Sequence, residues 1–202
     1  MGDTIETFYS KDRTKRVRLE YDDDGSACDP RQDDELVDIV TGELRRWNVA
    51  TKGAMFQSEF DRFNEMGRAG LFRRWLKIFH DTDAAPVYMM EHSSVALSTG
   101  SFGDPWDSGQ IGWTYIRPDA EKWDGMDVPK ILKGFVETLG QWMNGEVYGW
   151  ILEDKLTGTK VYDEDHEDEE FEEWEESDAC WGYIGAEYAE SEAKAALGEE
   201  AA

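Results

Sequence analysis

The run DEDHEDEEFEEWEESD, from Asp163 to Asp178, carries twelve carboxylates in sixteen residues. No segment charged like this can enter a core, because an uncompensated buried charge is held out of water at a penalty of several kcal/mol, roughly, per ion. The core must therefore be assembled from the sequence on either side of it. That sequence suffices. Hydrophobic residues are 40% and aromatic residues 13% of the 202-residue chain. A chain of that composition packs rather than remaining disordered.

The run has three readings. As a helix, sixteen residues span about 24 Å, or about one charge per 2 Å, close to the roughly 1.7 Å of duplex DNA. Phe171 and Trp174, three apart, would then anchor the helix to the body. As an extended strand it spans about 53 Å, or about one charge per 4.4 Å, nearer the roughly 3.4 Å of a single strand. As a solvated loop it has no fixed spacing, the usual fate of like-charge runs.

Charge is unevenly spread. Residues 1–100 hold 14 Lys/Arg against 19 Asp/Glu, and residues 101–202 hold 7 against 27, for a net of -25. Such a chain repels nucleic acid and anionic membrane and is drawn to basic surfaces. Direct nucleic-acid binding is not expected, although KDRTKRVR (Lys11–Arg18) and RRWLK (Arg73–Lys77) are locally basic. They would either pair with the acidic half or touch nucleic acid themselves. Adaptation to a salty cytoplasm is a competing account of the charge, but it should spread carboxylates evenly.

No apolar run reaches the roughly 18–20 residues of a membrane span, and the N-terminus has no secretory h-region. Cys28 and Cys180 make no disulfide framework and read as reduced thiols, which points to the cytoplasm. No C-x-x-C occurs, so zinc is not expected, nor is any other metal or cofactor.

KRVRLEYDDD alternates as a strand. DELVDIVTGELRRW is compactly apolar and reads as a short helix in preference to a strand. Ser58–Asp81 reads as two helical pieces, capped by Ser58 and bent between Gly67 and Gly70. Ala85–Ser93 and Gln110–Ile116 read as strands, with Gly112 marking a bulge or a close aromatic ring. Pro129–Gly145 is a helix with an apolar face and proline in its first turn. Glu146–Asp154 is a strand, followed by a turn at Gly158 and a partner strand. Cys180–Gly185 is a short strand, and an alanine-rich helix follows. The fold class is α+β: one antiparallel sheet of about five strands, helices packed against it, and an acidic segment. The organisation is an extension at 1–14, one domain at 15–185 containing the acidic insert 163–178, and a helical tail at 186–202.

A second candidate site lies in EHSSVALSTGSFGDPWDSGQIGWTYI (Glu91–Ile116). His92 with Asp104 and Asp107 would give a general base, and together with Trp106 a pocket, in a small enzyme or ligand-binding domain. The spacing matches no hydrolase elbow or phosphate loop. The plainer reading is a turn: Asp104 and Asp107 bond backbone N–H groups, and Trp106 plugs the sheet end.

The segments DDDGSACDPRQDDELVDIV, VYMMEHSSVALSTGSFGDPWDSGQIGWTYI, GEVYGWILED and DACWGYIG, in this order, resemble a family of small proteins of phages and other mobile elements. The likeness spans most of Tyr21–Gly185, with PWDSGQIGW its most distinctive part. The acidic Asp163–Asp178 and the acidic C-terminal end depart from it. The resemblance implies a setting rather than a reaction. Accessory proteins in that setting counter restriction, CRISPR or other host defences. The expectation is a non-enzymatic inhibitor of the antirestriction or anti-CRISPR type, occupying the nucleic-acid surface of a basic host protein or complex. Its contacts would be Glu164, Asp165, Glu167, Asp168, Glu169, Glu170, Glu172, Glu173, Glu175 and Glu176, with Trp174 as anchor.

Overall fold

A computed structural model describes residues 4–104, 106–121, 125–160 and 169–198. The described residues form an α+β fold with two four-stranded antiparallel sheets, where the sequence suggested one sheet of about five strands. The chain's contacts divide it into two compact units, Asp29–Asn144 and the pair of segments Met1–Cys28 and Gly145–Ala202.

In the central unit, β3 (Val37–Thr41), β4 (Ala84–Glu91), β5 (Val95–Ser98) and β6 (Ser108–Ile116) form a sheet ordered β3-β6-β4-β5. Helix α4 (Val128–Met143) covers one face. Its Leu132, Phe135, Val136 and Leu139 recur at threes and fours and meet Val37, Ile39, Val87 and Ile116. Asp127 caps α4 by accepting from the Lys130 N–H at 3.2 Å, and Pro129 sits in the first turn, where its missing N–H costs nothing. Helices α2 (Gln57–Glu65) and α3 (Phe72–His80) supply Phe60, Phe72 and Leu76 to the opposite face, against Val40, Trp113 and Tyr115. The short α1 (Pro30–Asp33) opens the unit.

Helices on both faces explain a misreading. Val37–Thr41 is a strand, not a helix, with every residue buried. Val37 and Ile39 pack into one helical layer and Val40 into the other, so apolar residues stand on both faces and the period of two is blurred in the sequence. The bulge expected at Gly112 is present, as the β4–β6 register slips between Val87 and Tyr88 and skips Ile111. A Cβ on Gly112 would lie 1.9 Å from the Val40 carbonyl oxygen, so only glycine fits. The Ser58 cap is not formed. Phe56 occupies the N-cap of α2 and makes no side-chain cap bond. The bend between the two helical pieces falls where expected, with Gly67 at φ +65°.

In the terminal unit, β1 (Thr4–Tyr9), β2 (Lys15–Tyr21), β7 (Val147–Lys160) and β8 (Glu169–Ile184) form a sheet in the order β1-β2-β7-β8. Residues read as an N-terminal extension thus supply β1. Helix α5 (Ala186–Ala196) lays Ala189 and Ala193 on Val17, Leu19, Tyr148 and Trp150. Strand β7 does not turn at Gly158 but runs on to Lys160. Gly158 is instead the place where the Phe171 ring crosses the strand, and a Cβ there would meet the ring at 2.6 Å. Gly149 does the same for Trp181, whose ring would lie 2.0 Å from an added Cβ.

Candidate functional site

The described part of the acidic run is neither helix nor loop. From Glu169 it is strand β8, sixteen residues long, paired to β7 on one side and at the edge of its sheet on the other. Positions 164, 165, 167 and 168 of the expected contact set lie outside the described residues.

Pairing assigns the side chains to faces. Glu170, Glu172, Trp174 and Glu176 stand opposite Thr159, Thr157, Lys155 and Glu153 on one face. Phe171, Glu173 and Glu175 stand opposite Gly158, Leu156 and Asp154 on the other. Glu170, Glu172, Glu173, Glu175 and Glu176 are all exposed. A strand advances about 3.4 Å per residue, so Glu170 to Glu176 spans about 20 Å, and its five carboxylates, interrupted at Phe171 and Trp174 and split between two faces, average about one per 5 Å. That spacing is wider than, though of the same order as, the roughly 3.4 Å charge spacing of one nucleic-acid strand.

Trp174 is an anchor, though by another geometry than the expected helix. Three residues apart on a strand, Phe171 and Trp174 point to opposite faces. Phe171 lies over Gly158. Trp174 lies under the Arg16 guanidinium, 4.4 Å from its ring centroid, and takes the edge of Tyr9 at 6.1 Å.

Like charges meet across β7 and β8: Glu176 opposite Glu153, and Glu175 opposite Asp154. Direct opposition of like charges destabilises a sheet. Here the next strand compensates. Arg16 Nε donates to Glu153 Oε2 at 2.5 Å, and Arg18 Nε donates to the same oxygen at 3.2 Å. Lys15 Nζ lies 3.3 Å from Asp154 Oδ1. On β7 itself Lys155 Nζ reaches Glu172 at 2.8 Å. Arg18 also bonds the buried Glu20, which accepts from Thr4 Oγ1 at 3.1 Å. Burial opposes the charge on Glu153, yet the Arg16 hydrogen bond and the Arg18 and Arg16 charges outweigh it. Its carboxyl is held below the ordinary glutamate range. The Ser177 hydroxyl and the Lys15 ammonium hold Asp154 low in the same way.

The basic stretch Lys11–Arg18 is thereby accounted for in part: its β2 cations pair internally. Pairing with the acidic half was one of the two readings of this stretch, but the partners, Glu153 and Asp154 on β7, were not assigned from the sequence. The alternation in KRVRLEY was the available signal, since it puts Arg16 and Arg18 on one face.

The second candidate is partly assembled. His92 Nε2 lies 3.4 Å from Asp107 Oδ2, and the two side chains are 79% and 44% exposed. Asp104 acts as a turn former, its Oδ1 accepting from the N–H groups of Trp106 at 2.8 Å and Asp107 at 3.3 Å. Ser108 Oγ donates to the Asp104 carbonyl. Trp106 does not plug the sheet end. It is 91% exposed, because the Asp104 turn carries it outward. Neither of two clefts in the central unit, one bounded by Leu36 and Arg117 and one by Trp47 and Gln57, is lined by these four residues.

Among the described residues no group of three or more His, Cys, Asp or Glu is placed to hold a metal. Cys28 and Cys180 form no disulfide. No described helix is long and apolar enough to cross a membrane. Comparison with protein-family models, curated proteins and solved structures finds no match.

Proposed function

We propose that this chain is a non-enzymatic interaction protein of a phage or other mobile element. It acts by laying the carboxylates of β8 into the basic nucleic-acid-binding surface of a host defence complex. The observation that carries this reading is the extended edge strand from Glu170 to Glu176, with five exposed carboxylates at about one per 5 Å, a linear charge density of the order of a single phosphate chain. The edge position adds to it: among the described residues no strand pairs with the far side of β8, so its backbone edge is open to a partner. The mobile-element setting rests on the motif resemblance of residues 21–185.

Trp174 gives the surface rigidity. Held by Arg16 and Tyr9, it fixes the strand that carries the charges, so less order has to be imposed on binding. Such binding is dominated by charge and weakens steeply with salt.

The test is inhibition of DNA cleavage by purified restriction and CRISPR effector complexes, comparing the native chain with the variant Glu170→Gln, Glu172→Gln, Glu175→Gln, Glu176→Gln. The native chain is expected to inhibit at least one complex at low salt, with inhibition at least tenfold weaker in the variant and at raised salt. Inhibition indifferent to both changes, or inhibition of none of the complexes, removes the proposal.

A further inference from the structure

The stretch 66–80, MGRAGLFRRWLKIFH, contains no carboxylate in a chain that has 46. It closes α2 and forms α3 in the central unit, and shares no residue with β8. Four of its large apolar side chains face solvent: Met66 is 57% exposed, Leu71 49%, Ile78 61% and Phe79 68%. Arg68, Arg73 and Arg74 are exposed beside them, with no ion pair or hydrogen bond of their side chains among the described residues. Lys77 is different, being held by Asp81 at 3.1 Å and Asp83 at 3.3 Å.

The support under this surface is rigid. Phe72 and Leu76 are fully buried, and Phe72 stacks on Trp75 with centroids 5.6 Å apart. Trp75 in turn meets the His80 ring at 4.7 Å and Phe79 at 6.2 Å. Leu71 and Ile78, seven positions apart, fall on one stripe about two turns long, some 10.5 Å. Preformed apolar side chains flanked by unpaired arginines are the composition of an interface centre.

Charge selects the occupant. A duplex would place phosphates on the arginines but leave four large apolar side chains against sugar and phosphate. An anionic bilayer gains about 1 kcal/mol per basic residue, and three arginines do not offset the repulsion of a chain at -25. A second copy brings another -25 and meets the same repulsion. What remains is a segment whose negative charge is local and interleaved with apolar residues. We infer that the exposed face formed by α3 and the turn that precedes it, Met66–Phe79, docks an acidic amphipathic helix of another protein, its apolar stripe on Leu71, Ile78 and Phe79 and its carboxylates on Arg68, Arg73 and Arg74. This is independent of what β8 binds.

The probe is a synthetic helix with leucines at i, i+3, i+4 and i+7 and glutamates elsewhere, titrated by fluorescence anisotropy against the full chain. Its controls are a peptide of equal composition with scrambled order, a DNA duplex, anionic phospholipid vesicles and self-association of the chain. Saturable binding of the ordered peptide is expected. It should weaken at least tenfold in the scrambled peptide, in Ile78→Ser/Phe79→Ser and in Arg73→Glu/Arg74→Glu. All four substituted side chains are exposed, and circular dichroism of each variant checks the fold. Equal binding of the scrambled peptide reduces the face to an ion exchanger and overturns the inference. So does tighter binding of DNA or vesicles, dimerisation through this face, or no binding of the ordered peptide.

Discussion

Glu153 shows most clearly how single residues hold the terminal unit together. Its side chain is 9% exposed and is shared by two guanidinium groups from β2. Removing the charge takes away the carboxylate that Arg16 and Arg18 share and leaves Arg18 with Glu20 as its charged partner. Glu153→Gln keeps the size and one carbonyl oxygen, so its expected cost is about 1–3 kcal/mol at neutral pH, read by urea unfolding. The sign of the pH dependence follows from the lowered folded pKa. Stability from such a group is fully present above the unfolded glutamate value, about 4.3, and is lost as pH falls through the folded value. The native chain and Glu153→Gln should therefore differ most at neutral pH and converge in acid. A gap that stays constant from neutral pH into acid would show that the Arg16 and Arg18 contacts contribute nothing through charge.

At the scale of elements, β8 raises the question of why a strand of glutamates pairs at all. Glutamate is a poor strand former, and nothing within Glu169–Asp178 has the apolar alternation of a strand. Its pairing is inherited from both neighbours: Cys180–Ile184 docks on Val147–Trp150 through apolar contact, and the hairpin register carries the acidic half along β7. This is also why the run was ambiguous in the sequence, as was Val37–Thr41. In each case the decisive information lies on a strand far away: β2 with its cations for β8, and β6 with two helical layers for β3. By contrast α4 was legible, since Pro129 and the buried face Leu132–Leu139 are both local. The Asp104 turn was legible for the same reason, while the outward course of Trp106 was not. A long open edge also invites pairing with other chains, and charge is the usual protection. Replacing Glu170, Glu172, Glu175 and Glu176 by glutamine relieves the oppositions to Glu153 and Asp154. The monomer should then be no less stable, by urea unfolding, while light scattering shows concentration-dependent association that the native chain lacks. A variant that stays monomeric would assign the carboxylates no protective role, and one that unfolds would show that they hold the hairpin.

The whole molecule divides its charge as it divides its contacts. The terminal unit holds 8 Lys/Arg against 27 Asp/Glu, and the central unit 13 against 19. Self-repulsion grows with the square of net charge, so the terminal unit carries nearly all of it, and repulsion of that kind opposes the compact state. Salt acts on the two units unequally. At about 0.01 M the Debye length is about 30 Å, long enough for most carboxylates of one unit to feel one another, whereas at about 1 M it is about 3 Å. Screening also weakens attractive pairs, but the strongest of these, Arg16 and Arg18 with Glu153, are mostly shielded from solvent and are screened less. The net effect of salt on the terminal unit is therefore stabilising, and on the central unit small. Thermal unfolding should follow two transitions at low salt, the lower belonging to the terminal unit and reported by hydrogen exchange in β7. With added salt the lower transition should climb toward the upper. The charge-neutral β8 variant should climb less, because part of the repulsion is already gone. If both units shift alike and the variant behaves as the native chain does, the charge is a general adaptation to a salty medium. In that case the clustering on β8 has no bearing on stability, and the even spread expected of such adaptation would have to be sought on the central unit.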